Sequence, residues 1–433
     1  MLQTESLFAI IAQKENKVMN KKLWNKNYIL LLQSSVISTI GDLMYSVAIG
    51  YWVYSQTGSS SLMGIMSAIS MLVTMFLSPF GGSIVDKCNR KWVLIIGDLF
   101  QGAIMLTIGT LAYMQKLNIP GVLIAAFLAA LGGVFYSPAS STIMIDIIPK
   151  DDMVRGQSIF SGCTSLVNMI GSSLSGVMVA FFGVPLIVII NGLSNVYAAI
   201  SELFINTPKS VQEGEPVSVK GILSDTKVAV KTIFSDGFLR IFVPFALIVN
   251  LLAAGSFSLV LPFTAEKGFS IEQYGYLMSV WTAASLACVL LLGIVKFSPK
   301  MRFWMMSIGF IMSEVFLFMG YLSKNFIVLC VFAFLGAFLN TAGNSIFSAS
   351  LVLALPKENR GSILGFFTSA SVGGTALSSL LYGFLGDVFP LSLVFAAGCV
   401  LSLVPMFYFC LHPKTKNFIL SSDDIEAERA KEA

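Results

Sequence analysis

The chain has 433 residues, 56% hydrophobic and only 12% charged, with a formal net charge of +4 and a mean hydropathy of +0.82. A soluble globule carries about twice that share of charge, so a soluble domain is excluded, and the small positive balance gives no reason to expect a nucleic-acid partner. A single histidine, His412, and six scattered cysteines (88, 163, 288, 330, 399 and 410) without a Cys-x-x-Cys pair exclude a histidine metal centre and a disulfide framework. No clustered catalytic set is present, so neither an enzyme nor a cofactor is expected.

In chain order, residues 1–27 come first. Their apolar run, Leu7–Ala12, is short and surrounded by acids and lysines, so a tail is expected and not a signal peptide. Met1 and Met19 both remain open as starts. Twelve apolar stretches follow, at 28–54, 61–85, 92–114, 121–144, 156–181, 184–206, 239–265, 272–295, 303–322, 326–351, 361–386 and 390–411. A bilayer core takes roughly 20 apolar residues per helical crossing. In hydrocarbon each backbone amide must be bonded within its own segment, so every stretch is predicted to be a helix. Turns are marked by Thr57-Gly58-Ser59-Ser60 and Asn118-Ile119-Pro120.

All but three of the 27 basic residues lie in the tails or the even-numbered connections; the exceptions are Lys116, Lys267 and Lys324. Short loops rich in Lys and Arg stay cytoplasmic, so both termini are expected inside. The longest connection, 207–238, carries Val219, Ile222, Leu223, Val230, Ile233 and Phe234 at helical spacing, opposite Lys220, Lys227 and Lys231. It is predicted to be an amphipathic helix lying along the membrane and joining two halves. The expected organisation is a cytoplasmic tail (1–27), a six-helix bundle (28–206), the linker (207–238), a second six-helix bundle (239–411) and a cytoplasmic tail (412–433).

The second half echoes the first. After span 4 the chain reads Pro149-Lys150-Asp-Asp-Met-Val-Arg155-Gly156, and after span 10 Pro356-Lys357-Glu-Asn-Arg360-Gly361. Each leads into a helix rich in Gly and Ser, with Gly171 and Gly176 in span 5 and Gly373 and Gly374 in span 11; small residues there allow close helix packing. Between spans 2 and 3 stands Gly82-Ser-Ile-Val-Asp86-Lys87-Cys-Asn89-Arg90-Lys91. This resembles the signature cytoplasmic loop of the major facilitator superfamily, Gly-x-x-x-Asp-Arg/Lys-x-Gly-Arg/Lys-Arg/Lys. Asn89 takes the usual glycine position, where it tolerates a left-handed turn.

The resemblance implies the major facilitator fold, an all-α integral membrane protein of twelve transmembrane helices in two six-helix bundles related by a parallel repeat. It also implies a gating role for Gly82, Asp86, Lys87, Arg90 and Lys91. An Asp closing a helix is unfavourable at the negative dipole end; in the family it meets cations and the start of span 11, here Gly361. Ser38-Thr-Ile-Gly41-Asp42, Thr57-Gly58-Ser59, Gly97-Asp98-Leu99 and Tyr136-Ser137-Pro138-Ala139 further resemble the bacterial branch of macrolide-efflux proteins and the enterobactin exporter. Span 5 reads Gly171-Ser-Ser-Leu-Ser-Gly176, without the proline of the antiporter pattern Gly-Pro-x-x-Gly-Gly.

No Lys or Arg lies in the hydrocarbon portion of any span. Asp42 and Glu314 fall near the middle of spans 1 and 9, and Asp98 about two turns inside span 3. A buried carboxylate without a cation is expensive, so such groups are expected to hold a proton part of the time and are the candidates for proton coupling. Glu202, near the end of span 6, is expected to reach water. The resemblance places spans 1, 4, 7 and 10 around a central cavity, which makes Tyr45, Tyr136, Asn250, Asn340 and Asn344 the candidate substrate contacts.

The expected function is secondary active export of small amphipathic molecules by proton antiport and alternating access, as a monomer in the bacterial cytoplasmic membrane. The alternative is a dedicated exporter of a siderophore or lipid-like metabolite.

Overall fold

The computed structural model describes residues 23–149, 152–206, 227, 230–294, 297–354 and 360–420. All regular structure among them is helical. Spans 1 to 4 are the helices Lys26–Thr57, Ser60–Lys87, Arg90–Tyr113 and Ile119–Ile147. Spans 8 to 12 are Ile271–Ile294, Pro299–Leu322, Phe326–Ala354, Arg360–Gly386 and Leu391–Leu411, and a short helix, Pro413–Leu420, follows. Ten helices among the described residues are long and apolar enough to cross a membrane. Large apolar side chains such as Phe76, Ile96, Leu193, Leu290 and Val404 lie exposed on their flanks, as a lipid-facing surface requires.

Spans 5 and 6 form one helical run, Met153–Leu203, reversed at Gly183 (φ 73°, ψ 161°). Only glycine adopts that conformation readily, and Pro185 presets the first turn of the second leg. Both legs return to the middle of span 1: Gly171 lies against Leu43, and Gly41 against Asn191 and Ser194.

Span 7 corrects the prediction of one continuous helix over 239–265. It is divided into Leu239–Ala253, Gly255–Ser258 and Val260–Glu266. Gly255, Ser256 and Ser258 are weak helix formers, and span 11 supplies partners for the break. Ser378 Oγ accepts from the Gly255 amide at 2.8 Å, Tyr382 Oη donates to the Leu252 carbonyl, and the hydroxyls of Ser258 and Ser379 meet at 2.9 Å. A broken helix is tolerated at membrane depth only when such neighbours satisfy its backbone.

The two bundles meet at the end away from the termini. A single apolar core there draws on both halves, including Met44, Val47, Met63, Ile187, Leu259, Phe263, Leu277 and Phe395. At the other end the cores are separate: Tyr28, Leu31, Leu94 and Ile143 belong to the first half, Phe242, Phe310, Phe347 and Phe409 to the second. Small residues set the seam. A Cβ on Gly176 would stand 2.5 Å from the Ile271 carbonyl oxygen and 3.1 Å from Gly275, and one on Gly373 2.8 Å from Met75 Sδ. Gly171 and Gly374 instead serve packing within their own halves, against Leu43 and against span 7.

The seam also carries a polar tie. Asp387, just past span 11, accepts from the Ser60 and Ser61 amides at 2.6 and 3.2 Å and from Ser59 Oγ at 2.9 Å. It caps the positive N-terminal end of span 2 from the opposite bundle. Desolvation pushes its pKa up, but the hydrogen bonds from Ser61, Ser59 and the two amides outweigh that and hold its carboxyl below the usual range.

Most of the predicted linker helix lies outside the described residues. Residues 230–235 are helical, and Ile233 is buried in the core of the second bundle.

Candidate functional site

The sequence-predicted residues gather in two places. In the first bundle, spans 1, 3, 4 and 6 bring together Asp42, Asp98, Tyr136 and Glu202. Asp98 is 2% exposed, and the charged groups that face it are Glu202 and Asp42, both acids. One oxygen of Asp98, both oxygens of Glu202 and the Tyr136 hydroxyl are buried without a hydrogen-bond partner among the described residues. Ser34 lies beside Glu202 but donates its proton to the Leu31 carbonyl at 3.0 Å. The amides of Asn191 and Asn195 flank Asp42, and Asn195 Nδ2 donates to Asn191 Oδ1 at 3.1 Å. Asp42 keeps open surface within these packed surroundings, whereas Asp98 and Glu202 are closed in.

Glu202 corrects the expectation that it reaches water. It is fully buried, because it projects from the face of span 6 packed against spans 1 and 3. Depth along a helix was readable from sequence; the face was not. Asn191 and Asn195, which flank Asp42, were missed for the same reason.

The second place is a cavity of about 390 Å³ lined only by residues of spans 7 to 12. Asn250, Asn340, Asn344 and Glu314 all line it; Tyr45 and Tyr136 do not. Tyr136 belongs to the acid cluster and Tyr45 packs against the shared core. The asparagines bond along their own helices: Asn344 Nδ2 donates to Asn340 Oδ1 at 2.8 Å, and Asn250 Nδ2 to the Ala246 carbonyl at 2.9 Å. Glu314 is 4% exposed, and the Cys399 thiol, Tyr321 and Tyr382 face it. No lining residue carries a positive charge.

At the loop motif, Asp86 and Lys87 close span 2 and Gly361 lies in the first turn of span 11. The side chains of Gly82, Asp86, Lys87 and Gly361 lie outside those described. Arg90 opens span 3, is 6% exposed, and binds Asp146 Oδ2 of span 4 at 2.8 Å. Lys91 Nζ donates to the Leu203 carbonyl at 2.7 Å. Asp146 was missed, although a lone acid at the end of span 4 beside a basic loop is a readable counter-ion signal. No group of His, Cys, Asp and Glu among the described residues is arranged to hold a metal ion.

Two helical bundles with this connectivity, acids enclosed in one and a cavity in the other, define a multi-pass membrane transporter. Residues 31–295 and 245–427 match the Major Facilitator Superfamily, and the chain belongs to that family. It is 21% identical over 186 residues to macrolide efflux protein A of Streptococcus pyogenes, covering 43% of this chain and 46% of that protein. To the multidrug efflux pump Tap of Mycobacterium tuberculosis it is 26% identical over 160 residues, covering 36% and 38%. The chain thus spans less than half the length of these efflux relatives. An uncharacterised MFS-type transporter of Methanocaldococcus jannaschii aligns over 81% of this chain and 89% of its own length at 22% identity. Among solved structures, a bacterial homolog of the human lysosomal transporter Spinster, inward-facing and unoccupied, superposes with a TM-score of 0.67 at 12% identity. That match covers 93% of this chain and 97% of the other. The nucleoside transporter NupG superposes at 0.69 with 14% identity over 88% and 97%. These likenesses concern the fold.

Proposed function

We propose that this chain is a proton-coupled exporter of small amphipathic molecules that works by alternating access in the bacterial cytoplasmic membrane, as a monomer with both termini inside. One observation carries the coupling: Asp42, Asp98 and Glu202 are held together in the first bundle with only acids and uncharged groups against them. Ionising a carboxyl there without a cation is costly, so the cluster suits groups that take a proton when open to one side and lose it when open to the other. The shared core at one end and separate cores at the other suit a carrier closed on the outer side. Asp86, Lys87, Arg90, Lys91 and Gly361 are assigned to the gate on the cytoplasmic side. The names of the efflux relatives support amphipathic drug-type substrates.

The test is transport into everted membrane vesicles. A wild-type chain that accumulates a macrolide or a lipophilic dye on energisation, and loses it on adding a protonophore, meets the expectation. Asp42→Asn should bind the compound yet fail to concentrate it. Accumulation indifferent to the protonophore would rule out proton coupling. A chain that moves none of these compounds but exports a siderophore would favour the dedicated-exporter alternative.

A further inference from the structure

The cavity of the second bundle has its own chemistry, separate from the acid cluster. Glu314 is the one acid among its lining residues, and none of those residues is a cation. The helix Leu239–Ala253 ends at the cavity, with Ala253 and Ala254 in its wall. The helix Gly255–Ser258 begins at the same point and Tyr382 bonds the Leu252 carbonyl, so the charge bias of the space comes from the Glu314 carboxyl. Rings of Phe245, Phe257, Trp281, Phe310 and Phe347 supply much of the wall, beside the amides of Asn250, Asn340 and Asn344. Aromatic faces attract cations and accept apolar bodies. The volume of about 390 Å³ falls in the range of drug-sized sites.

We propose that this cavity binds a lipophilic organic cation, with Glu314 as counter-ion to its charged head and the aromatic wall around its apolar body. The proposal rests on the transport reading for its purpose and narrows the substrate class. An anionic ligand is disfavoured by Glu314. A neutral ligand would leave Glu314 with only the Cys399 thiol and tyrosine hydroxyls to answer it. The break in span 7 adjoins the same site, with Ala253, Ala254 and Ser256 in its wall, while Ser378 and Tyr382 keep the freed backbone satisfied.

The protein in lipid nanodiscs can be tested by equilibrium dialysis with tetraphenylphosphonium and, as a neutral twin, triphenylphosphine oxide. Tetraphenylphosphonium should bind the wild type and quench Trp281, a signal lost in Trp281→Phe. Glu314→Gln should weaken the cation by about ten-fold or more and leave the neutral compound within about two-fold; Glu314→Asp should keep the cation within about three-fold of wild type. Unchanged cation affinity in Glu314→Gln, or an equal fall for both compounds, overturns the proposal, as does absence of cation binding to the wild type. Glu314-dependent binding without energised export would remove the transport reading and leave the site. Coupled export with cation affinity indifferent to Glu314 would do the reverse.

Discussion

The two bundles differ in where they place their acids. The first gathers three acids, Asp98 and Glu202 closed in and Asp42 beside them with open surface. The second places one acid, Glu314, on an aromatic cavity beside a broken helix. Charge is gathered where there is little room, and room is made where there is little charge. The proposed function accordingly assigns energy coupling to the first bundle and ligand binding to the second. At the seam the bundles are joined by close helix contact at Gly176 and Gly373 and by a polar tie at Asp387.

The largest effect should come from removing an acid of the first bundle. One charge moved through 100 mV is worth about 2.3 kcal/mol, an accumulation ratio of about 50-fold. Asp98→Asn should lose that gradient while still exchanging substrate across the vesicle membrane. A mutant that concentrates substrate normally would break the division of labour between the halves.

Next in size is the gate. Asp86→Asn should insert and fold yet transport poorly, because the change is confined to a contact proposed to join the bundles. Full transport at normal expression would remove Asp86 from the gate. Both the acids and this motif were readable in sequence, since hydropathy, charge and spacing are local properties. The break in span 7 was not. Its partners Ser378 and Tyr382 lie more than a hundred residues away, and a run such as Leu239–Ala265 reads as one apolar span until they are in place. The burial of Glu202 was hidden for a related reason: which helix face meets a neighbour depends on packing. Asp387 gave no signal at all, being an ordinary polar residue until span 2 arrives beside it.

The third effect is structural and belongs to the first bundle. Arg90 is buried against Asp146, which is 20% exposed. Breaking a fully buried pair costs about 3–5 kcal/mol, and partial exposure reduces that to about 2 kcal/mol. Arg90→Ala should lower the thermal midpoint accordingly, and Lys91 cannot substitute because it is bonded to the Leu203 carbonyl. In a cycle with Asp146→Asn the double mutant should be less damaged than the sum of the singles. Strict additivity would show that the pair contributes nothing to stability.

The matching change in the second bundle is Tyr382→Phe. It removes the donor to the Leu252 carbonyl and leaves that oxygen at the helix break without its partner. The loss should be about 1 kcal/mol in stability, with a weaker affinity for any ligand in the adjoining cavity. Greater stability in the phenylalanine variant would mean that the break needs no support from span 11.

The smallest effect concerns the tie between the bundles. Asp387 holds the Ser60 and Ser61 amides and the Ser59 hydroxyl across the seam. Asp387→Ala leaves the Ser59 cap on the Leu62 amide in place, so the cost should be about 0.5–1 kcal/mol. It should fall on the outward-closed state alone, raising the labelling of a cysteine placed at Ser379 by an impermeant maleimide. The pH dependence follows from the lowered pKa of the folded form. The contribution of the tie is complete above the unfolded carboxyl range, near pH 4. It fades as pH falls further, through the still lower folded value. Wild type and Asp387→Ala should therefore differ by a constant amount between about pH 5 and 8 and converge only in strong acid. A difference that vanishes near neutrality would show that another group, and not the Asp387 carboxylate, ties this end of the seam.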